Sequence, residues 1–155
     1  MTNLSRKARY ALRALYALAA DETRGPVLIA DLAERENIPR KFLEAILLEL
    51  KNAGVLKSKK GKGGGYALAR PADQITIGQI VRTIDGPLAP VPCASERAFV
   101  RCEECVDETT CGTRQVMKKV RDAIAAILDG TTLADVQAQM ARARIGTGTT
   151  VSYSI

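Results

Sequence analysis

Two short amphipathic helical stretches joined by a three-residue turn, and followed at once by a glycine-rich hairpin, leave residues 29–69 few ways to fold. Ile29, Leu32 and Ala33 fall on one side of a helix over Ile29–Glu36. Asn37-Ile38-Pro39 makes a tight turn, with Pro39 suited to opening the next helix. That third helix extends to Ala53, its buried stripe formed by Leu43, Ile46, Leu47 and Leu50, and Asn52-Ala53-Gly54 is its stop. Val55–Ser58 and Gly65–Ala69 read as two strands around a tip at Lys59–Gly64. Helix, turn, helix and hairpin in that order predict a winged helix-turn-helix, mainly α with a small β wing.

The flanks extend this frame. Ser5 caps a helix from about Arg6 to Ala20, with Ala8, Leu12, Leu15 and Ala19 as its apolar stripe; Asp21 to Gly25 ends it. Pro71 to Gln74 links the wing to a helix over Ile77–Ile84, capped by Thr76 and stopped by Asp85-Gly86-Pro87. Residues 87–111 lack periodicity. A long amphipathic helix then spans about Thr113 to Leu128, carrying Val116, Val120, Ile124, Ile127 and Leu128 on one face. Thr132 caps a short last helix, and a disordered tail closes the sequence.

Charge is distributed unevenly. Residues 1–70 hold 14 Lys and Arg against 7 Asp and Glu, whereas residues 71–155 hold 9 against 10. A basic first half points to a polyanionic partner, the alternative being a solvated surface. Arg6, Lys7 and Arg9 before an apolar stretch mimic a signal peptide, but Arg13 interrupts that stretch and its period is helical. No apolar run is long enough to span a membrane, so a cytoplasmic location with no membrane partner is expected.

On the third helix Arg40, Lys41, Glu44 and Ala45 lie away from the apolar stripe near the N-terminal end, where a recognition helix meets base edges. Arg40 and Lys41 suit phosphates or guanine, and Glu44 suits the N4 amino group of cytosine. A solvated helix face is the alternative. In the hairpin Lys57, Lys59, Lys60 and Lys62 crowd a tip containing Gly61, Gly63, Gly64 and Gly65, with Tyr66 beside it. Lysines neutralise phosphates and glycines permit close backbone approach. A nucleotide-cradling loop is the competing reading, but its spacing is wrong and no Lys-Ser/Thr pair opens a helix there, which favours a wing tracking the backbone and minor groove.

Cys93, Cys102, Cys105 and Cys111 sit within nineteen residues, and the chain has no other cysteine and no histidine. Charged neighbours (Arg97, Arg101, Glu103, Glu104, Asp107 and Glu108) suggest an exposed metal, cluster or redox site rather than core packing. A small thiol redox enzyme using Cys102-Glu103-Glu104-Cys105 would also need a general base, and neither histidine nor a carboxylate pair supplies one. No small-molecule substrate is evident. The chain is expected not to be an enzyme.

The run Arg9-Tyr10-Ala11-Leu12, Leu32-Ala33-Glu34, Phe42-Leu43-Glu44 and Lys60-Gly61-Lys62-Gly63-Gly64-Gly65-Tyr66, with cysteines near residue 100, resembles the bacterial winged-helix regulators of the IscR, NsrR and CymR type, the Rrf family. The resemblance covers about residues 1–142. It implies a homodimer crossed through the helix at 113–128 that binds a partly palindromic duplex DNA operator, with Glu44 reading bases. Lys60 stands where the family usually has Arg, which keeps the charge but loses the planar fork. The implied division is a DNA-binding domain at 1–86, a cysteine sensor loop at 87–111, a dimerisation helix and short C-terminal helix at 112–143, and a disordered tail at 144–155. The implied function is a transcriptional regulator, a repressor, whose loop senses iron–sulfur or redox status.

In cluster-binding members three cysteines ligate an iron–sulfur cluster, with five to seven residues between successive thiols. This chain reads Cys93-x8-Cys102-x2-Cys105-x5-Cys111, so only the last interval matches. The relatives' histidine ligand falls at Arg114 and their acidic ligand near Arg9. An all-thiolate site of Cys93, Cys102, Cys105 and Cys111 would compensate, since four thiolates suffice for a cluster. Zinc on the same thiols, a disulfide switch among Cys102, Cys105 and Cys111, and inert cysteines are the other readings.

Overall fold

A computed structural model describes residues 3–21 and 25–147. Six helices and one two-stranded antiparallel sheet appear among them: α1 Arg6–Ala20, α2 Ile29–Glu36, α3 Arg40–Asn52, β1 Leu56–Lys59, β2 Gly65–Leu68, α4 Ile77–Asp85, α5 Gly112–Asp129 and α6 Leu133–Thr147. The expected winged helix-turn-helix is therefore present. Residues 22–24 of the expected stop after α1 lie outside the described residues.

Local chemistry sets the boundaries. Ser5 caps α1, its hydroxyl accepting from the Ala8 amide at 3.0 Å, and the same residue donates to the Asp85 carboxylate at the end of α4. Asn37 takes the left-handed conformation, φ 50°, which turns α2 sharply into α3. Leu43, Ile46, Leu47 and Leu50 of α3 pack on Leu15 of α1, Leu32 of α2 and Ile80 of α4 in one core. Each fully buried Leu or Ile contributes about 1.5–3 kcal/mol relative to exposure.

The wing starts one residue later than expected. Val55 is buried in the exit turn of α3, its amide donating to the Leu50 carbonyl at 2.9 Å, and β1 pairs Leu56 with Leu68 through Lys59 with Gly65. Val27 adds an isolated bridge on the other edge of β2, pairing both ways with Tyr66 at 2.8 Å each. This bridge ties the wing to the approach of α2, and sequence period gave no sign of it.

After α4 the chain passes through a single 3₁₀ turn at Pro92–Ala94 before α5. The α5–α6 corner returns to the start of α4: the Ile77 amide donates to Thr131 and the Leu133 amide to Ile75, both at 2.9 Å, and Leu133 is fully buried. Helix α6 is not short. It runs fifteen residues along α1, where Gln137 donates to the Tyr16 carbonyl at 2.6 Å. It takes in residues 144–147 of the expected tail, continuing the helix-favouring Ala-Arg-Ala-Arg run of 141–144; residues 148–155 lie outside the described residues. No helix of the described residues is long and apolar enough to cross a membrane.

Candidate nucleic-acid interface and cysteine loop

Helix α3 turns its apolar stripe inward and leaves Arg40, Lys41, Glu44 and Ala45 in solvent. Arg40 Nε donates to Glu44 Oε1 at 3.2 Å, one turn apart. Both side chains are exposed, so the pair adds only about 0.3–0.5 kcal/mol to the helix. Its greater effect is to orient the carboxylate and offset its charge. Phe42 meets Tyr10 edge-on with centroids 5.7 Å apart, and the Arg13 guanidinium lies 5.9 Å from the Tyr10 ring. This bracket fixes the start of α3 against α1.

The wing carries Lys57, Lys59, Lys60 and Lys62, all exposed. Its glycines have separate reasons. The Gly64 amide closes the tip by donating to Gly61 at 3.0 Å, and a Cβ there would lie 2.3 Å from the Lys59 carbonyl oxygen. Gly65, at φ +137°, would put a Cβ 2.2 Å from the Val27 oxygen. Gly63, at φ +71°, faces open space. Turn geometry and the Val27 bridge thus account for Gly64 and Gly65, while Gly63 stays exposed at the tip. Tyr66 is half-buried, packs against the core and spends its backbone groups on Val27.

The cysteine loop is held by arginines from α5. Arg114 donates through Nε to the Cys93 carbonyl at 2.8 Å and through a terminal nitrogen to Glu108 at 3.2 Å, and its guanidinium lies 5.6 Å from the Phe99 ring. Seven residues on, Arg121 donates to the Ala94 carbonyl at 2.6 Å. The loop's far limb folds on Asp107, which accepts from the Thr109 hydroxyl and amide and from the Thr110 hydroxyl. Those bonds, Thr109's first, hold its carboxyl below the usual range. Sequence reasoning treated position 114 only as a missing ligand; the i, i+7 spacing of two arginines beside the loop was the available signal.

The profile of the Rrf2 family, described as an iron-dependent transcriptional regulator, matches residues 4–139. The chain belongs to the Rrf2 family. An Rrf2-like transcriptional regulator of Rhodobacter capsulatus is 40% identical over 138 residues, covering 87% of this chain and 92% of that one. Among solved structures, CymR, the global cysteine regulator of B. subtilis, superposes with a TM-score of 0.73 at 33% identity, over 90% of this chain and 98% of its own. T. potens IscR superposes at 0.70 with 30% identity, over 89% and 88%. Rrf2 proteins are transcriptional regulators, not enzymes, and bind DNA.

As folded, this Rrf2 chain does not assemble the expected ligand set. Cys93 is buried in the 3₁₀ turn rather than exposed on a loop, Cys102 is exposed, and Cys105 and Cys111 are half-buried. Cys111 caps α5, its sulfur accepting from the Arg114 amide at 3.5 Å. Among the described residues no three Cys, Asp or Glu are arranged to hold a metal ion. The physical reason is division of labour: one thiol is core, one is a cap, and an arginine organises the loop. Cys102 and Cys105 alone form a local pair, at the ends of a turn closed by the Cys105 amide on the Cys102 carbonyl at 3.1 Å.

Proposed function

We propose that the chain is a homodimeric, sequence-specific DNA-binding repressor of the cytoplasm whose cysteine loop reports thiol redox state. The observation that carries the reading is the exposed basic start of α3 beside a four-lysine wing in an Rrf2 chain. Arg40 and Lys41 contact phosphate or guanine, Glu44 accepts from cytosine, and Lys57, Lys59, Lys60 and Lys62 with Gly63 and Gly64 follow the backbone. Tyr66 supports the wing from within.

Helix α5 supports a dimer. It is eighteen residues, about 27 Å long, and none of its residues is buried, with Val116, Val120 and Ile127 exposed. A second copy crossing it would cover that stripe. For sensing, Cys102 and Cys105 join by losing two protons and two electrons to a peroxide, which becomes water, with one disulfide formed. The crosslink changes the loop between α4 and α5, and so the spacing of the two recognition helices.

The test selects duplexes from a random pool with the full chain, then measures affinity under reductant and after peroxide. An enriched two-fold motif whose binding changes on oxidation, and does not in Cys102→Ser, supports the reading. Absence of enrichment contradicts DNA reading; enrichment with an unchanged affinity contradicts sensing alone.

A further inference from the structure

A cleft of about 660 Å³ lies between the end of α4, the 86–89 segment, residues 95–97 and α5. That volume suits a small molecule. Leu88, Ala89 and Ala125 contribute apolar lining, and three arginines, Arg82, Arg97 and Arg121, line it as well. They are differently committed. Arg82 is bound twice by Asp129, at 2.5 and 2.9 Å. Arg97 is exposed, and its charge acts on Asp129 without a hydrogen bond among the described residues.

Arg121 is the unusual one. Its side chain is only 12% exposed, yet its carboxylate partners, Glu96 and Asp122, are 73% and 61% exposed. Asp122 takes Nε and Nη2 through a single oxygen, at 2.8 and 2.5 Å, so a ligand carboxylate offering two oxygens to the same planar fork displaces it into the water where most of that side chain already stands. Asp122 and Asp129 in the walls oppose a dianion, which favours a single carboxylate over a phosphate ester. Arg121, Ala125 and Asp129 also lie on the side of α5 opposite Val116, Val120 and Ile127. The cleft therefore stays open when a second copy covers the apolar stripe.

We propose that this cleft binds a small organic monocarboxylate with an apolar body, its charge held by Arg97 and Arg121 and its body on Leu88 and Ala125. Because Arg121 also holds the Ala94 carbonyl, occupancy acts on the start of the cysteine loop and on the α4–α5 junction. The inference does not depend on how DNA is read.

The experiment titrates the full chain with benzoate, with its neutral isostere benzamide and with inorganic phosphate, following heat of binding and amide chemical shifts. Benzoate is expected to bind saturably and more tightly than either comparison, with shifts centred on Leu88, Ser95 and Ala125. Arg97→Gln, a change at an exposed side chain, is expected to weaken benzoate about tenfold. Ala125→Leu, which adds bulk to the apolar lining, is expected to weaken benzoate and benzamide alike. Equal binding of benzamide, tighter binding of phosphate, shifts confined elsewhere, or no saturable binding of benzoate would each overturn the proposal.

Discussion

Arg114 on α5 donates to the carbonyl of Cys93 at 2.8 Å, so the helix holds the start of the cysteine loop through one side chain. With Glu108 and Phe99 as its other partners, one guanidinium joins both limbs of the loop. The bonded backbone carbonyls bear no charge, and each such hydrogen bond is worth about 1.5 kcal/mol.

Arg114→Ala is expected to cost about 1–2 kcal/mol locally and to speed hydrogen exchange across residues 93–108, leaving the α1–α4 core unchanged. Arg114→Lys is expected to recover only part, since an ammonium lacks the fork that spans two carbonyls and stacks on a ring. Exchange mass spectrometry checks both. Unchanged protection in Arg114→Ala would remove the staple from the account.

How far the sequence reaches is visible in these residues. Helices α1 to α4 were legible because Leu12, Leu15, Leu43, Ile46 and Leu50 repeat at helical spacing and Ser5 and Thr76 are good caps. The Val27–Tyr66 and Thr76–Thr132 bridges were not, since isolated pairings leave no period. Neither was the length of α6, whose polar and apolar residues are mixed around its circumference. In the loop, thiol spacing announced ligands, while burial of Cys93, capping by Cys111 and the two arginines are decided by tertiary packing.

The wing supplies a second test. Gly65→Ala meets both an unfavourable φ and the Val27 oxygen, so it is expected to cost about 3 kcal/mol and lower the melting temperature on the order of 10 °C. Gly63→Ala meets open space and is expected to cost about 1 kcal/mol. Thermal denaturation followed by circular dichroism distinguishes them, and equal losses would refute the packing argument at Gly65.

Lys60→Ala and Lys62→Ala are expected to weaken all duplexes similarly and to reduce the salt slope by about 1 each. Glu44→Ala is expected to relax discrimination at one base pair by about 1–3 kcal/mol without reducing that slope. Fluorescence anisotropy on the selected duplex and its single-base variants separates these roles; a sequence-selective effect of Lys62 would reverse their assignment.

Asp129 gives an acid-side signature. Hydrogen bonds from Arg82 hold its carboxyl below the ordinary range, helped by the charges of Arg82 and Arg97. The folded state therefore binds this proton later than the unfolded chain. The stability it brings is complete above the unfolded value near ~4 and drains as pH falls through the folded one. Its exposure keeps the contribution to about 0.5 kcal/mol. Asp129→Asn is expected to lower stability at pH 7 and to narrow its difference from wild type at acid pH. A constant difference across urea melts from neutral to acid pH would contradict this.

The most direct measurement is the affinity of the reduced full chain for its selected duplex and for a scrambled duplex of equal length, each across a range of salt. The account expects the selected duplex to bind at least ~1,000-fold more tightly, with both affinities falling steeply as salt rises. Equal affinity for the two duplexes, or binding that ignores salt, would contradict the assignment of α3 and the lysine wing as a DNA reader.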